Sequence, residues 1–206
     1  MNQFINQLIA AIFQVILFGV IPFLWWLISR KSAQCSLLDF LGLKKMTTEN
    51  NSKLFLSCLA SLIGFIIVGY FSLKSISDLS VLANSKFTNI SIWSTLSIIL
   101  YAFVQTALSE EVFFRGFLAK RLIHKFNYRS GNFIQAILFG LTHILMLTSQ
   151  DLTLTILIFI GIMTGSIGYS LCYIDEKLAG GSIIPSWIIH GLTNVFSTLF
   201  IIFLLG

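Results

Sequence analysis

Charge is scarce in this chain: only 10% of its 206 residues are Asp, Glu, Lys or Arg, against 56% that are hydrophobic. That balance excludes a soluble domain of ordinary composition, where about a quarter of residues are charged. Cysteine is sparse too. Cys35, Cys58 and Cys172 lie far apart, without CxxC or CxxH spacing, so neither a disulfide framework nor a thiolate metal site is indicated; they read as small apolar fillers. The alternating segments of about ten residues that mark barrel strands are missing, and helices are the other structure that satisfies its backbone in lipid. Internal repeats, low-complexity tracts and a second domain are also missing, so 1–206 reads as one integral membrane domain. A net charge of +5 does not call for a nucleic-acid partner, because in a membrane chain the distribution of charge outweighs its sum.

What is present is a series of long apolar runs. A hydrocarbon core of about 30 Å needs roughly 20 such residues per helix. Six spans are predicted, near 5–29, 54–73, 93–120, 132–149, 152–174 and 183–204, giving an all-α polytopic membrane protein. Arg30, Lys31, Lys44, Lys45 and Lys53 flank the first loop, and Lys120, Arg121, Lys125 and Arg129 the third. With Lys177 in the fifth, these predict one cytoplasmic side, opposite Lys74 and Lys86, and place both termini outside. The first span has no positive n-region and is too long for a signal sequence, so it reads as a retained helix in a multi-pass protein of the cell membrane. Ser36 to Met46 has the pattern of a short amphipathic element on the cytoplasmic surface, with an ordinary loop as the alternative.

The third span contains Glu110-Glu111-Val112-Phe113-Phe114-Arg115. A charge at the centre of a spanning helix costs about 2.5–3.5 kcal/mol on insertion scales, so such residues need named partners. Positions i and i+4 share a helix face, which pairs Glu111 with Arg115. Glu110 points about 100° away from Glu111 and must find its partner on another helix. Glu111 with Arg115 then has a structural reading, orienting the helix, while Glu110 has the setting of a general base or acid.

The candidate partners are His143 in the fourth span and His190 and Asn194 in the sixth, the last two one turn apart on one face. Counted at about 1.5 Å per residue, Glu110 lies about 15 Å, His143 about 16 Å and His190 about 10 Å from the cytoplasmic ends of their spans. The three are therefore expected near one level. A carboxylate with an imidazole can deprotonate a water, while a second imidazole and a carboxamide can donate to an oxyanion, a sufficient kit for amide hydrolysis. Alternatively Glu110, His143 and His190 supply three ligands to a metal such as zinc and leave a position for water. The HExxH arrangement is absent, and the sequence leaves metal-free and metal-dependent chemistry both open.

Other features have plainer readings. Gly161, Gly165 and Gly168 have the spacing of close helix packing. Pro185 sits in a first helical turn, Trp25, Trp26, Trp93 and Trp187 sit near predicted interfaces, and His124 is a solvated loop residue.

Glu110-Glu111 with Arg115, Phe139 with His143, and His190 with Asn194 resemble, in order, the EExxxR, FxxxH and HxxxN motifs of the CPBP family of intramembrane proteases. That family, also called Abi, includes the type II CAAX prenyl endopeptidases and bacterial bacteriocin-processing or immunity relatives. The resemblance covers roughly 93–204. It implies a helical fold with a catalytic chamber open to the cytosolic side, in which Glu110 and His143 activate water and His190 and Asn194 bind the oxyanion. Glu111 and Arg115 support that geometry, with a direct part for Glu111 left open. The implied function is an intramembrane endopeptidase acting on a peptide or membrane-anchored substrate, in bacteriocin immunity or secreted-peptide processing. The substrate need not be prenylated, and oligomeric state is not indicated. Two other classes use the same residues differently: a noncatalytic scaffold or peptide-sequestering immunity protein, and an ion-coupled carrier, against which stands the lack of a repeated broken-helix pattern.

Overall fold

The computed structural model describes residues 2–76, 78–148, 150 and 152–205. Six helices in it are long and apolar enough to cross a membrane. They belong to α1 (Asn2–Ala33), α3 (Asn51–Ser75), α4 (Ile92–Lys125), α5 (Tyr128–Leu147), α6 (Leu154–Leu178) and α7 (Ile184–Leu205). A single turn, α2 (Leu37–Phe40), interrupts the first connection. All six predicted spans are present, each end displaced by a few residues; the predicted end of the fourth, residue 149, lies outside the described residues. Polar residues set several starts. Asn50, Ser91, Asn127 and Thr153 each accept a backbone N–H of the first turn of α3, α4, α5 and α6, satisfying a donor the helix cannot pair internally.

The helix pair α5 and α6 is held by Gly161 and Gly165, singled out in the sequence, and by Gly140, which was not. Gly140 faces the carbonyl of Gly161, and a Cβ at Gly140 would lie 2.3 Å from that oxygen. Gly165 packs on Ala136 in the same seam, so the two backbones approach as small residues allow. In contrast α1 is largely exposed on its outer face, where Ile9, Phe13, Ile16 and Ile28 turn away from the bundle. Polar groups tie it to the bundle: Gln7 donates to Gln105, and Gln105 donates to Gln14 at 3.0 Å. Such interhelical bonds contribute about 0.6–2 kcal/mol each in lipid.

The stretch from Ser36 to Met46 does not form an amphipathic helix along the surface. After the single turn of α2 it crosses one end of the bundle as a strap. Phe40 and Leu41 are buried against Phe117, and the Leu41 carbonyl lies over Gly116, where a Cβ would come within 2.5 Å. Gly42 O accepts Ile183 N–H at 2.9 Å, and Lys44 O accepts the Ser182 hydroxyl at 2.7 Å. Phe40 and Leu41 thus bury against protein, while Leu38 and Met46 stay exposed. The short loop 179–183 is sunk with it, since Ala179, Ser182 and Ile183 are fully buried.

Candidate active site

Glu110 and Glu111 lie in the middle of α4, and α4 is not the uniform α-helix that the sequence suggests. Leu100–Leu108 and Val112–Ala119 have π-type hydrogen bonding, separated by one α-helical turn, Ser109–Glu111. A π-turn shifts bonding to i+5 and is frequent at functional sites. Polar side chains occupy the altered ladder: the Thr106 hydroxyl donates to Tyr101 O at 2.7 Å and that of Ser109 to Val104 O at 3.4 Å. Two α7 side chains use the carbonyls this region turns outward. Trp187 Nε1 donates to Phe103 O at 2.6 Å, and Asn194 Nδ2 reaches Ala102 O at 3.4 Å. Trp187 is therefore an internal clamp between α4 and α7, not a member of an interfacial belt.

The predicted pair within α4 is present: Arg115 Nη1 lies 3.3 Å from Glu111 Oε1, and both side chains are buried. Glu111 has a second partner that helical spacing alone does not show. His190 Nδ1 lies 2.8 Å from the same Oε1. A carboxylate can only accept, so Nδ1–H donates and the imidazole is held with Nε2 on its other side. Nε2 is 3.9 Å from Glu110 Oε2. One imidazole thus bridges two adjacent carboxylates, and the partner that Glu110 lacks in its own helix is on α7.

His143 is set in the same manner by a different acceptor. Its Nδ1 lies 2.9 Å from Phe139 O; a carbonyl accepts, so Nδ1–H donates and Nε2 keeps its lone pair. The charges acting on His143 are those of Glu110, His190 and Arg115, which places it beside the same cluster. Phe139 is the apolar hub. Its ring meets Phe114 at 5.0 Å, His143 at 4.5 Å and His190 at 6.4 Å between centroids, and the Arg115 guanidinium lies 4.0 Å above it. A cation over an aromatic face is worth about 2 kcal/mol or more when desolvated. Phe65 of α3 stacks on His190 at 5.8 Å.

Asn194 stands one turn beyond His190 but faces α4. Its Nδ2 donates to Thr106 Oγ1 at 2.9 Å and to Ala102 O at 3.4 Å. Glu110, Glu111, Arg115, His143 and His190 are thus gathered into one cluster, with Asn194 beside it on the α4 backbone. Among the described residues no group of three His, Cys, Asp or Glu side chains is arranged as the ligands of one ion.

The convergence also has a cause that depth counting missed. Glu110 and His143 both lie roughly 20 Å from the tight connection between α4 and α5, counted along their helices. His190 is only about 9 Å into α7, and it reaches them because loop 179–183 starts inside the bundle. Buried polar residues outside the sequence reading include Asp175, Gln135 and Asn132. Asp175 lies in the terminal π-turn of α6, Ile174–Leu178, one residue past the predicted end of that span. Gln135 and Asn132 form a bonded pair on α5, and an intramembrane amide was the available signal.

These features define an all-α polytopic membrane protein with a buried glutamate–histidine centre shared among three helices. The model of the Rce1-like family, type II CAAX prenyl endopeptidase Rce1-like, matches residues 92–196. That stretch is more than half of the chain and contains α4, α5, α6 and every residue of the cluster; the chain belongs to this family of intramembrane CAAX-type proteases. No curated protein and no solved structure matches it.

Proposed function

We propose that the protein hydrolyses a peptide bond in a peptide or membrane-anchored substrate, with Glu110 and His143 activating water. The single observation that carries this reading is that both imidazoles have Nδ1 committed, to Glu111 and to Phe139 O, leaving their Nε2 atoms and the Glu110 carboxylate for chemistry. In the proposed reaction, water donates a hydrogen bond to His143 Nε2 and gives its proton to Glu110 as its oxygen attacks the carbonyl carbon. The C–N bond then breaks, and Glu110 returns the proton to the leaving amine. His190, flanked by two carboxylates, carries the imidazolium whose Nε2–H faces the developing oxyanion. One such donor is worth about 10²–10³ in rate. Asn194 joins it by exchanging its longer bond, the 3.4 Å contact to Ala102 O, for the substrate oxygen. The basic end of the bundle is proposed to face the cytoplasm, by the Lys and Arg distribution of the loops.

The test is cleavage of a peptide panel by purified protein in detergent, with and without chelator, comparing wild type with Glu110→Ala, His143→Ala and His190→Ala. Cleavage is expected for wild type and is expected to be lost in Glu110→Ala. A Glu110→Ala protein that still cleaves overturns the assignment, and loss of wild-type activity in chelator overturns the metal-free step.

A further inference from the structure

One buried carboxyl group has no part in that scheme. Asp175 is 1% exposed, although it lies in a membrane-spanning segment. Its Oδ1 accepts the backbone N–H of Ser186 at 3.3 Å, in the first turn of the helix that carries His190 one turn later. Its Oδ2 is buried with no hydrogen-bond partner among the described residues. Arg115, which makes no ion pair with Asp175 among the described residues, has the complementary deficit: apart from the ion pair with Glu111, Nε, Nη1 and Nη2 have no hydrogen-bond partner there, and Glu111 Oε2 and Gln135 Oε1 are unpartnered acceptors as well. Buried polar groups are rarely left so, and complementary orphans within one cluster mark an interaction across it, direct or through ordered water. The charged and titratable groups acting on Asp175 are Cys58 of α3, Glu111, Arg115 and Lys120 of α4, and Cys172 of its own helix. Lys120 is already engaged by Glu176 at 2.5 Å and by Gly181 O at 2.8 Å. Glu111 is shared between Arg115 and His190, and Arg115 is the cation left for Asp175. Ser186 lies within interaction range of both.

We propose that Asp175 is a positioning residue of the active site: as the second counter-charge of Arg115 and the anchor of the first turn of α7, it holds Glu111 and His190 in register. The proposal rests on the hydrolase reading for its catalytic consequence, but the pairing with Arg115 can be tested without activity. Asp175→Asn keeps an oxygen for Ser186 N–H and removes the charge; Asp175→Ala removes both.

Purified variants in detergent are assayed for thermal unfolding and for peptide cleavage. For Asp175→Asn, kcat is expected to fall about tenfold with KM within about twofold, the mark of an interaction acting in the transition state. Unfolding temperatures of Asp175→Asn, Arg115→Gln and the double variant are expected to be non-additive, the double variant losing less than the sum. Additive losses overturn the pairing, as does an Asp175→Asn enzyme with wild-type kcat beside an impaired Asp175→Ala, which leaves only a helix anchor. If Asp175→Asn alone does not fold, a folded double variant supports the pairing, and a double variant that fails to fold although Arg115→Gln alone folds overturns it. A wild type without Glu110-dependent cleavage sinks the hydrolase reading, while the unfolding cycle still decides the pairing.

Discussion

Replacing Glu111 with Gln alters one atom at the point where α4 and α7 meet, and its effect should differ in kind from the same change at Glu110. Glu111 is fully buried and its Oε1 serves two partners, Arg115 at 3.3 Å and His190 at 2.8 Å. Gln keeps an acceptor for His190 Nδ1–H but abolishes the charge that balances Arg115. Removing one partner of a buried ion pair outright costs about 3–5 kcal/mol. The retained amide should hold the loss for Glu111→Gln to about 1–2 kcal/mol, the difference between a charge-assisted and a neutral bond. The weaker hold on His190 should cost about tenfold in kcat, equivalent to about 1.4 kcal/mol. Glu110 has no partner in its own helix and lies 3.9 Å from His190. Glu110→Gln should therefore change stability by less than about 1 kcal/mol yet cost about 10²–10⁴ in rate, as loss of a general base does. Thermal unfolding in detergent and peptide cleavage, on the same preparations, separate the two. If Glu110→Gln is the more destabilised variant, or Glu111→Gln cleaves at the wild-type rate, the division of roles is wrong.

Three further outcomes are expected. Asn194→Ala should lower kcat/KM by about 10²-fold through the lost oxyanion donor, and a change confined to stability would leave Asn194 with only its contacts to Thr106 and Ala102. Gly140→Ala should lower thermal stability by about 1–3 kcal/mol, as overpacking does, because its Cβ meets the Gly161 carbonyl; Gly64→Ala meets nothing within 4 Å and should be neutral or slightly stabilising. A phosphatase fused to the C-terminus should be active outside the cell if the basic end faces the cytoplasm, and a fluorescent protein fused there instead should stay dark; the reverse pattern inverts the topology.

Much of this protein is decided by local sequence. Apolar runs of membrane length determine the number and nature of the spans, since a backbone in lipid has few other ways to satisfy its polar groups. The i, i+4 relation of Glu111 to Arg115 belongs to the helix itself and is legible without a fold. So are Gly161 and Gly165 of the α5–α6 seam, whose missing side chains matter wherever two backbones approach. The second partner of Glu111 was not legible, because its Oε1 meets His190 only when α7 packs on α4, 79 positions away along the chain. Nor was the π-bonded course of α4, which answers to Trp187 and Asn194 on another helix. Asp175 was hidden by its place at a span end, where composition reads as loop; the terminal π-turn of α6 and the sunken loop that follows turn it inward. Hydropathy and spacing act within a helix, but the pairing of buried charges depends on which helices meet and at what depth, and that was decided only by the tertiary structure.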